Sequence, residues 1–315
     1  MRYSNAFGFS SSKVLLGTAY FGSSVPKETA FEILDKYYKS GGNHIDTARL
    51  YSDGNSEKVI AEWIKSRKVQ DIHISTKGGY PSNDDLSKPR LSENELRKDL
   101  ELSLTSLEID TIDFYWLHCD DRTISPEQII NLMNQFVKEG KIKKFGASNW
   151  NHSRIKDAND YAKRNNLAPF DAVQIRFSPA IVIGDNERKG FLEEMNKTAF
   201  DFYANESIPI AAYASQAKGF FSKIHSLGEE GLSDKAKERY LCKENLETLA
   251  HIEYIADSKG SSIASAVCGA LSSLESPNTF PIIGASSVSQ LEDSIKGGDL
   301  VLPYNELCTI FSMLR

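Results

Sequence analysis

Short apolar runs alternate with longer amphipathic segments along most of the chain. Eight runs rich in β-branched and aromatic residues predict strands at Val14–Gly17, His44–Thr47, His73–Thr76, Asp113–His118, Lys144–Ala147, Ala172–Arg176, Pro209–Tyr213 and Phe280–Ile283. The first seven runs lie about 33 residues apart on average, which is room for a strand, a helix and two loops. This spacing predicts a repeated βα unit.

The segments between the runs predict helices with recognisable starts. Ser92 with Glu95, and Ser125 with Gln128, have the spacing of capping boxes. Behind the first of these starts, leucines recur at helical spacing and indicate a face that packs on a core: Leu96, Leu100, Leu104 and Leu107.

Two intervals exceed this period, at about residues 177–207 and 214–279. Neither contains a Pro/Ser-rich linker or a shift in composition that would mark a domain boundary. Eight consecutive alternations favour a closed barrel over a doubly wound sheet, which has fewer parallel strands. The sequence therefore predicts one domain over residues 1–315, an α/β (β/α)8 TIM barrel with long loops after strands 6 and 7 and a short N-terminal segment before strand 1.

Composition narrows the class of protein. The chain has 315 residues, with 37 Lys and Arg against 43 Asp and Glu and a net charge of −6, and it shows no basic stripe that would suit nucleic acid. No apolar run reaches the length of a membrane span or a secretory signal. Four cysteines lie far apart, without the spacing of a zinc or redox motif. We expect a cytoplasmic protein with reduced thiols and no nucleic-acid or membrane partner.

Polar residues follow the predicted second, third and fourth strands where each one ends. They are Asp46, Lys77 and His118, and Tyr51 comes five residues after the first of them. Neighbouring strands of a barrel lie about 4.8 Å apart, so these side chains can converge on one small volume. The C-terminal ends of barrel strands are where catalytic residues are found in this architecture.

Several segments, in order along nearly the full chain, resemble the aldo-keto reductase family. They are 41–51 (GGNHIDTARLY), 74–77 (ISTK), 115–118 (YWLH), 146–149 (GASN), 173–174 (VQ) and 281–284 (PIIG). The resemblance implies reduction of an aldehyde or ketone by hydride transfer from NAD(P)H, with Tyr51 as the proton donor. Lys77 would stabilise the phenolate, Asp46 would hold Lys77 charged, and His118 would polarise the carbonyl. The structural alternative is a barrel-interior ion pair of Asp46 and Lys77 with packed aromatic residues at the rim.

The same resemblance implies a nicotinamide nucleotide site. Its residues would be Ser148, Asn149, Gln174, Tyr213, Ser215, Lys218, Gly219, Gly284, Ser286, Ser287, Gln290 and Asp293. The resemblance makes NADP(H) the expected cofactor. NAD(H) stays open as the alternative, because no Arg or Lys stands between Gly284 and Ile295 to pair with a 2′-phosphate. Tyr20 and Trp150 are candidates for the substrate pocket. Arg176 could meet an acidic group of a substrate or pair with Asp120 or Asp121.

Two other classes of function stay open at this point. A nicotinamide-binding regulatory subunit, like the channel β-subunits that resemble this family, would keep the fold with slow chemistry. A metal-dependent barrel hydrolase would use His44, Asp46 and His118 as ligands, although further ligands at the other strand ends are missing. The favoured expectation is an enzyme without a metal that acts on a small carbonyl compound, as a monomer or weak homo-oligomer.

Overall fold

Eight parallel strands close into a barrel in the computed structural model, which describes residues 1–81, 88–184 and 192–314. An antiparallel hairpin precedes them, made of β1 (Tyr3–Ala6) and β2 (Phe9–Ser12). The barrel strands are β3 (Leu15–Gly17), β4 (His44–Asp46), β5 (His73–Gly78), β6 (Ile112–Leu117), β7 (Ile142–Ser148), β8 (Val173–Arg176), β9 (Ile210–Tyr213) and β10 (Thr279–Gly284). Their order follows the chain, and β10 pairs with β3 to close the ring. The predicted (β/α)8 barrel is confirmed.

Helices surround the barrel and cover the outer faces of its strands. Among the described residues they are α1 (Lys27–Lys39), α2 (Asn55–Arg67), α3 (Glu93–Leu107), α4 (Pro126–Lys138), α5 (His152–Arg164), α6 (Lys197–Asn205), α7 (Phe220–Leu227), α8 (Asp234–Tyr240), α9 (Lys243–Lys259), α10 (Ile263–Ser272), α11 (Val288–Ile295) and α12 (Tyr304–Ile310). The long connections after β8 and β9 are present as predicted, and the second contains α7, α8 and α9. None of the described helices combines the length and apolar character that crossing a membrane requires.

The N-terminal hairpin packs against the end of the barrel where the strands begin and closes it. Phe7, at the tip, is buried, and its ring lies 5.3 Å from that of Phe114 and 5.0 Å from that of Phe280. Both partners stand early in their strands, so the hairpin covers the N-terminal end of the barrel. The C-terminal end is left for loops that can carry a site.

One of the two predicted capping boxes forms. Ser125 accepts a hydrogen bond from the Gln128 amide and donates its own amide to the Gln128 side chain, which completes a box at the start of α4. At Ser92 the predicted box is wrong, because the hydroxyl donates to Glu95 Oε2 at 2.6 Å and caps no backbone amide. Arg90 lies 3.4 Å from the same carboxylate and draws it away from the helix start.

Candidate active site

The second and third barrel strands bring a carboxylate and an ammonium group together at the C-terminal end of the barrel. Asp46 is the last residue of β4 and Lys77 lies near the end of β5. Lys77 Nζ donates to Asp46 Oδ2 at 2.6 Å, and both side chains are almost entirely buried. A buried pair of this kind persists only when its remaining hydrogen-bonding groups are also satisfied.

A tight turn brings Tyr51 back over this pair. Residues Tyr51–Gly54 form one turn of 3-10 helix, in which Ser52 and Asp53 have left-handed backbone angles. Lys77 Nζ lies 3.2 Å from Tyr51 Oη and also donates to the Thr47 carbonyl at 2.8 Å. Each of the three ammonium hydrogens therefore has an acceptor: a carboxylate, a carbonyl and a phenol.

The electrostatics of the group follow from burial and from the Asp46 charge. Burial alone would lower the pKa of Lys77, but the Asp46 carboxylate and Tyr51 outweigh it and the pKa of the ammonium lies above its usual range. Burial raises the pKa of Tyr51, and the Lys77 charge opposes that rise. Lys77 is consequently charged at neutral pH. The pKa of Tyr51 still lies above its usual range, so the resting group is the phenol, and the Lys77 charge is positioned to stabilise the phenolate that forms when the proton leaves.

His118 faces the same volume from the end of β6. Its ring centroid lies 6.0 Å from that of Tyr51 and 4.7 Å from that of Tyr80. Burial and the Lys77 charge bring the pKa of His118 well below its usual range, so the imidazole is neutral near pH 7. Its Nδ1 atom is buried and has no hydrogen-bond partner among the described residues. A ring nitrogen in this position can form a hydrogen bond with a ligand, either donating to an oxygen or accepting from a donor group.

The predicted nicotinamide-binding residues of strands five to seven form one connected group. Tyr213 Oη donates to Asn149 Oδ1 at 2.7 Å, and Asn149 Nδ2 donates to the Ser148 hydroxyl and to the His118 carbonyl. Gln174 Nε2 donates to Asp46 Oδ1 at 2.9 Å, which ties this group to the ion pair. A partly exposed tyrosine ring beside amide and hydroxyl groups fits a planar ring that carries a carboxamide.

The residues predicted to bind the rest of the nucleotide lie in two segments, one after β9 and one from the end of β10 into α11. After β9, Ser215 is buried and donates its hydroxyl to the Ile282 carbonyl at 2.7 Å, whereas Lys218 is exposed and Gly219 has a left-handed backbone. Gly284, the last residue of β10, is exposed, with open space where a Cβ would stand. Ser287 caps α11 by accepting from the Gln290 amide. The Gln290 side chain accepts from the amide and hydroxyl of Ser286, while Asp293 lies on α11 and accepts through its carbonyl from Ser265.

The two predicted substrate residues have different surroundings. Tyr20 is well exposed and lies in the loop after β3, at the C-terminal end of the barrel. Trp150 is almost fully buried, donates its indole N–H to the Cys119 carbonyl at 3.1 Å and packs on Phe170. Its side chain therefore supports the loop that follows β6.

The suggested partners of Arg176 are not the ones found. Arg176 Nη1 donates to Glu194 Oε1 at 2.6 Å. Asp120 instead pairs with Arg154, whose Nε lies 2.8 Å from Asp120 Oδ2, and Asp121 accepts from Thr123. No local pattern indicates Glu194, which is brought to Arg176 by the long loop after β8.

Ser75 is a site residue that the sequence analysis missed. Its hydroxyl donates to Asp46 Oδ1 at 3.1 Å. The signal was available, because Ser75 stands two residues before Lys77 and side chains alternate along a strand. No three His, Cys, Asp or Glu side chains among the described residues are grouped in a way that could hold a metal ion.

The barrel with an Asp, Tyr, Lys and His group at its C-terminal end defines a class of barrel oxidoreductases, and comparison with known proteins identifies the family. The model of the Aldo/keto reductase family matches residues 13–314, and the chain belongs to that family.

Its relatives are named as reductases and dehydrogenases. A norsolorinic acid reductase of Aspergillus flavus is 28% identical over 96% of this chain and 78% of its own length. A probable aryl-alcohol dehydrogenase of Saccharomyces cerevisiae is 28% identical over 87% of this chain and 84% of its own. The crystal structure of a thermostable aldo-keto reductase, Tm1743, in complex with epalrestat has the same fold, with a TM-score of 0.74 at 24% identity over 99% of this chain and 100% of that one.

Proposed function

We propose that the protein reduces an aldehyde or ketone to an alcohol, with NADP(H) as its cofactor and Tyr51 as its proton donor. The observation that carries the proposal is the position of Lys77 Nζ, 3.2 Å from Tyr51 Oη and 2.6 Å from Asp46 Oδ2. Family membership and the names of the relatives support carbonyl chemistry.

A bound nicotinamide nucleotide supplies the hydride in this chemistry. Tyr51 transfers its proton to the oxyanion that the reduced carbonyl leaves, and Lys77 stabilises the resulting phenolate. Asp46 keeps Lys77 charged and oriented. His118 is neutral, and its Nδ1 atom has no hydrogen-bond partner among the described residues. The N–H group of this imidazole orients the carbonyl oxygen by a hydrogen bond. Ser148, Asn149, Gln174 and Tyr213 would hold the nicotinamide.

The preference for NADP(H) over NAD(H) is the finer part of this proposal. It rests on the family resemblance and on Ser286, Ser287 and the start of α11, where hydroxyl and amide groups suit a phosphate. The missing Arg or Lys between Gly284 and Ile295 argues for a weaker discrimination than a charge-assisted pair would give. A cytoplasmic location and a monomeric or weakly oligomeric state remain predictions.

The decisive assay follows NADPH and NADH oxidation by purified protein with a panel of aromatic aldehydes, dicarbonyls and keto-sugars, for wild type and Tyr51→Phe. We expect turnover by wild type and a loss of at least about a hundredfold in the variant, within the range of general acid catalysis. The ratio of the two cofactors decides between NADP(H) and NAD(H). Tight nucleotide binding without turnover of any carbonyl would instead indicate the regulatory class, and absence of nucleotide binding would contradict both.

A further inference from the structure

A chain of buried hydrogen bonds runs from the N-terminal hairpin to Asp46. Ser11 Oγ of β2 lies 2.9 Å from His44 Nδ1, His44 Nε2 lies 3.1 Å from Ser75 Oγ, and Ser75 Oγ lies 3.1 Å from Asp46 Oδ1. None of these four side chains is more than about a fiftieth exposed. The chain connects the closed end of the barrel to the end that carries the proposed site.

The protons in this chain can be arranged in two ways. If His44 carries its proton on Nε2, it donates to Ser75, which then donates to Asp46, and Ser11 donates to Nδ1. If the proton is on Nδ1, the Ser75 hydroxyl can turn to His44 Nε2 and Asp46 loses a donor. The two arrangements differ in the number of hydrogen bonds that the carboxylate receives.

The charge of Asp46 favours the first arrangement. Asp46 is paired with the Lys77 ammonium, and a hydrogen bond to a carboxylate is stronger than one to a neutral nitrogen. Ser75 Oγ lies 3.1 Å from both Asp46 Oδ1 and His44 Nε2, so the carboxylate charge, not the distance, decides between these two acceptors. The backbone acceptors are slightly farther away, with the Ile45 carbonyl 3.3 Å from Ser75 Oγ and the Ser12 carbonyl 3.1 Å from Ser11 Oγ. In the first arrangement each group donates to the next along the chain: Ser11 to His44, His44 to Ser75, and Ser75 to Asp46.

His44 is neutral in this environment. Burial brings the pKa of His44 down to about 3, His73 and Lys77 add to the effect, and Asp113 opposes it. The rings of Phe7 and Phe9 lie 4.9 and 5.0 Å from the imidazole and shield it at the hairpin, and the Tyr37 hydroxyl donates to the His44 carbonyl. Both ring nitrogens have a hydroxyl partner and two aromatic rings contact the imidazole, so its orientation is fixed and its proton can occupy either nitrogen.

We propose that His44, as its Nε2–H tautomer, is a positioning residue for the proton-donor site. It holds the Ser75 hydroxyl as a donor to Asp46, and the fixed carboxylate orients Lys77 against Tyr51. The proposal rests on the proposed function for its kinetic consequence, while the tautomer itself is a property of the folded chain. Besides Ser75 and the Thr47 carbonyl, Tyr51 and Gln174 contact the Asp46 and Lys77 pair directly. The Lys77 charge also acts on the imidazole of His118 and lowers its pKa.

The kinetic test compares Ser75→Ala with Ser75→Thr, which keeps the hydroxyl. Loss of one charge-assisted hydrogen bond to Asp46 should lower kcat/KM for carbonyl reduction by about tenfold in Ser75→Ala. The Lys77 charge then acts less strongly on Tyr51, so the pKa of the phenol rises and the alkaline limb of the pH profile moves to higher pH. Ser75→Thr should retain most of the activity and the wild-type profile.

The control is Ser272→Ala, which removes another fully buried serine hydroxyl, on α10 and outside the hydrogen-bond chain, that donates to the Gly297 carbonyl at 3.0 Å. It should lower the melting temperature without moving the pH profile. If Ser75→Ala loses stability like this control and keeps wild-type kcat/KM and pH dependence, Ser75 and His44 are only structural and the proposal is wrong.

Nitrogen-15 NMR of the histidine ring tests the tautomer independently of turnover. We expect the Nε2–H form of His44 in wild type, and a changed Nε2 environment in Ser75→Ala. An Nδ1–H form would overturn the proposal. This measurement also separates the two hypotheses, because it can be made even if no carbonyl is reduced and the proposed function fails.

Discussion

The ammonium nitrogen of Lys77 lies 3.2 Å from the phenolic oxygen of Tyr51, and its other two hydrogens go to Asp46 and to the Thr47 carbonyl. Lys77 therefore cannot turn away from Tyr51 without leaving a buried hydrogen unpaired. The two residues come from different elements, the end of β5 and the 3-10 turn after β4. The barrel thus fixes the position of the Lys77 charge that would make Tyr51 an effective general acid.

Replacement of Lys77 separates the stability of the ion pair from its chemistry. Lys77→Met leaves the Asp46 carboxylate buried without its counter-charge, so we expect a loss of about 3–5 kcal/mol in the free energy of unfolding. The double variant Asp46→Asn with Lys77→Met removes both charges and should regain much of that stability. Carbonyl reduction should remain depressed at least about a hundredfold in both variants, since Tyr51 lacks its cation.

Urea unfolding and steady-state kinetics check this prediction together. Recovery of activity in the double variant would mean that Lys77 serves only to neutralise Asp46.

Tyr213 offers a test of the nicotinamide site in which two parts of one side chain are removed separately. Tyr213→Phe deletes the hydrogen bond to Asn149 and keeps the ring, whereas Tyr213→Ala removes the ring as well. If the ring stacks on the nicotinamide, Tyr213→Ala should raise the Kd for NADPH by about ten- to a hundredfold, as for a base stacked on an aromatic side chain. Tyr213→Phe should change the Kd by less than about fivefold.

Fluorescence titration with NADPH measures both constants. Equal effects of the two substitutions would show that the hydroxyl, through Asn149, matters and that the ring does not stack.

Much of the barrel and of the central site could be predicted because both depend on short-range patterns. Apolar runs give the strands, and the polar residue that ends each run falls at the same end of a parallel barrel, which is how Asp46, Lys77 and His118 were found. Ser75 follows from the same alternation but was overlooked. These features need no knowledge of the loops.

The remaining features depend on contacts that no local pattern encodes. The hairpin strand Tyr3–Ala6 has little apolar character. Phe7 is buried because it packs against the N-terminal end of the barrel, and only the folded chain brings these two parts together. The pairing of Arg176 with Glu194 requires the course of a long loop. The bond from Tyr213 to Asn149 requires a left-handed backbone at Asn149, with a φ of 60°.

Gly54 controls the turn that holds Tyr51, and its replacement should affect both stability and activity. Its φ is +85°, and an added Cβ would lie 2.2 Å from Arg49 Nη1. We expect Gly54→Ala to lower the free energy of unfolding by about 1–3 kcal/mol and to reduce kcat, because the left-handed backbone is strained and the Arg49 guanidinium or the turn that holds Tyr51 must shift. Gly140→Ala is a matched control, since Gly140 has a φ of +73° with no atom within 4 Å of the added Cβ.

The control should lose about 1 kcal/mol, the cost of the backbone conformation alone, and keep wild-type kcat. If both variants lose the same stability and the same activity, contact with Arg49 does not fix the turn.

Lys13 makes the stability of the closed end of the barrel depend on pH. Its side chain is buried, with Nζ 2.7 Å from Asn278 Oδ1 and 4.7 Å from the centre of the Phe280 ring. Burial lowers the pKa of Lys13 to about 7, Arg2 lowers it further and Glu275 opposes both. In the unfolded chain the pKa of a lysine is about 10.4, so between about pH 7 and pH 10 the unfolded state binds more protons than the folded state. Stability from this residue must therefore rise with pH across that window.

Lys13→Met keeps the apolar stem and removes the titrating group. The free energy of unfolding of wild type relative to Lys13→Met should increase from pH 7 to pH 10, with a slope approaching about 1.4 kcal/mol per pH unit, and the variant should be the more stable protein at pH 7. Urea unfolding of both proteins at intervals of one pH unit measures the difference directly. Parallel curves would mean that Lys13 stays charged in the folded protein, held by Glu275 and the Phe280 ring in spite of its burial.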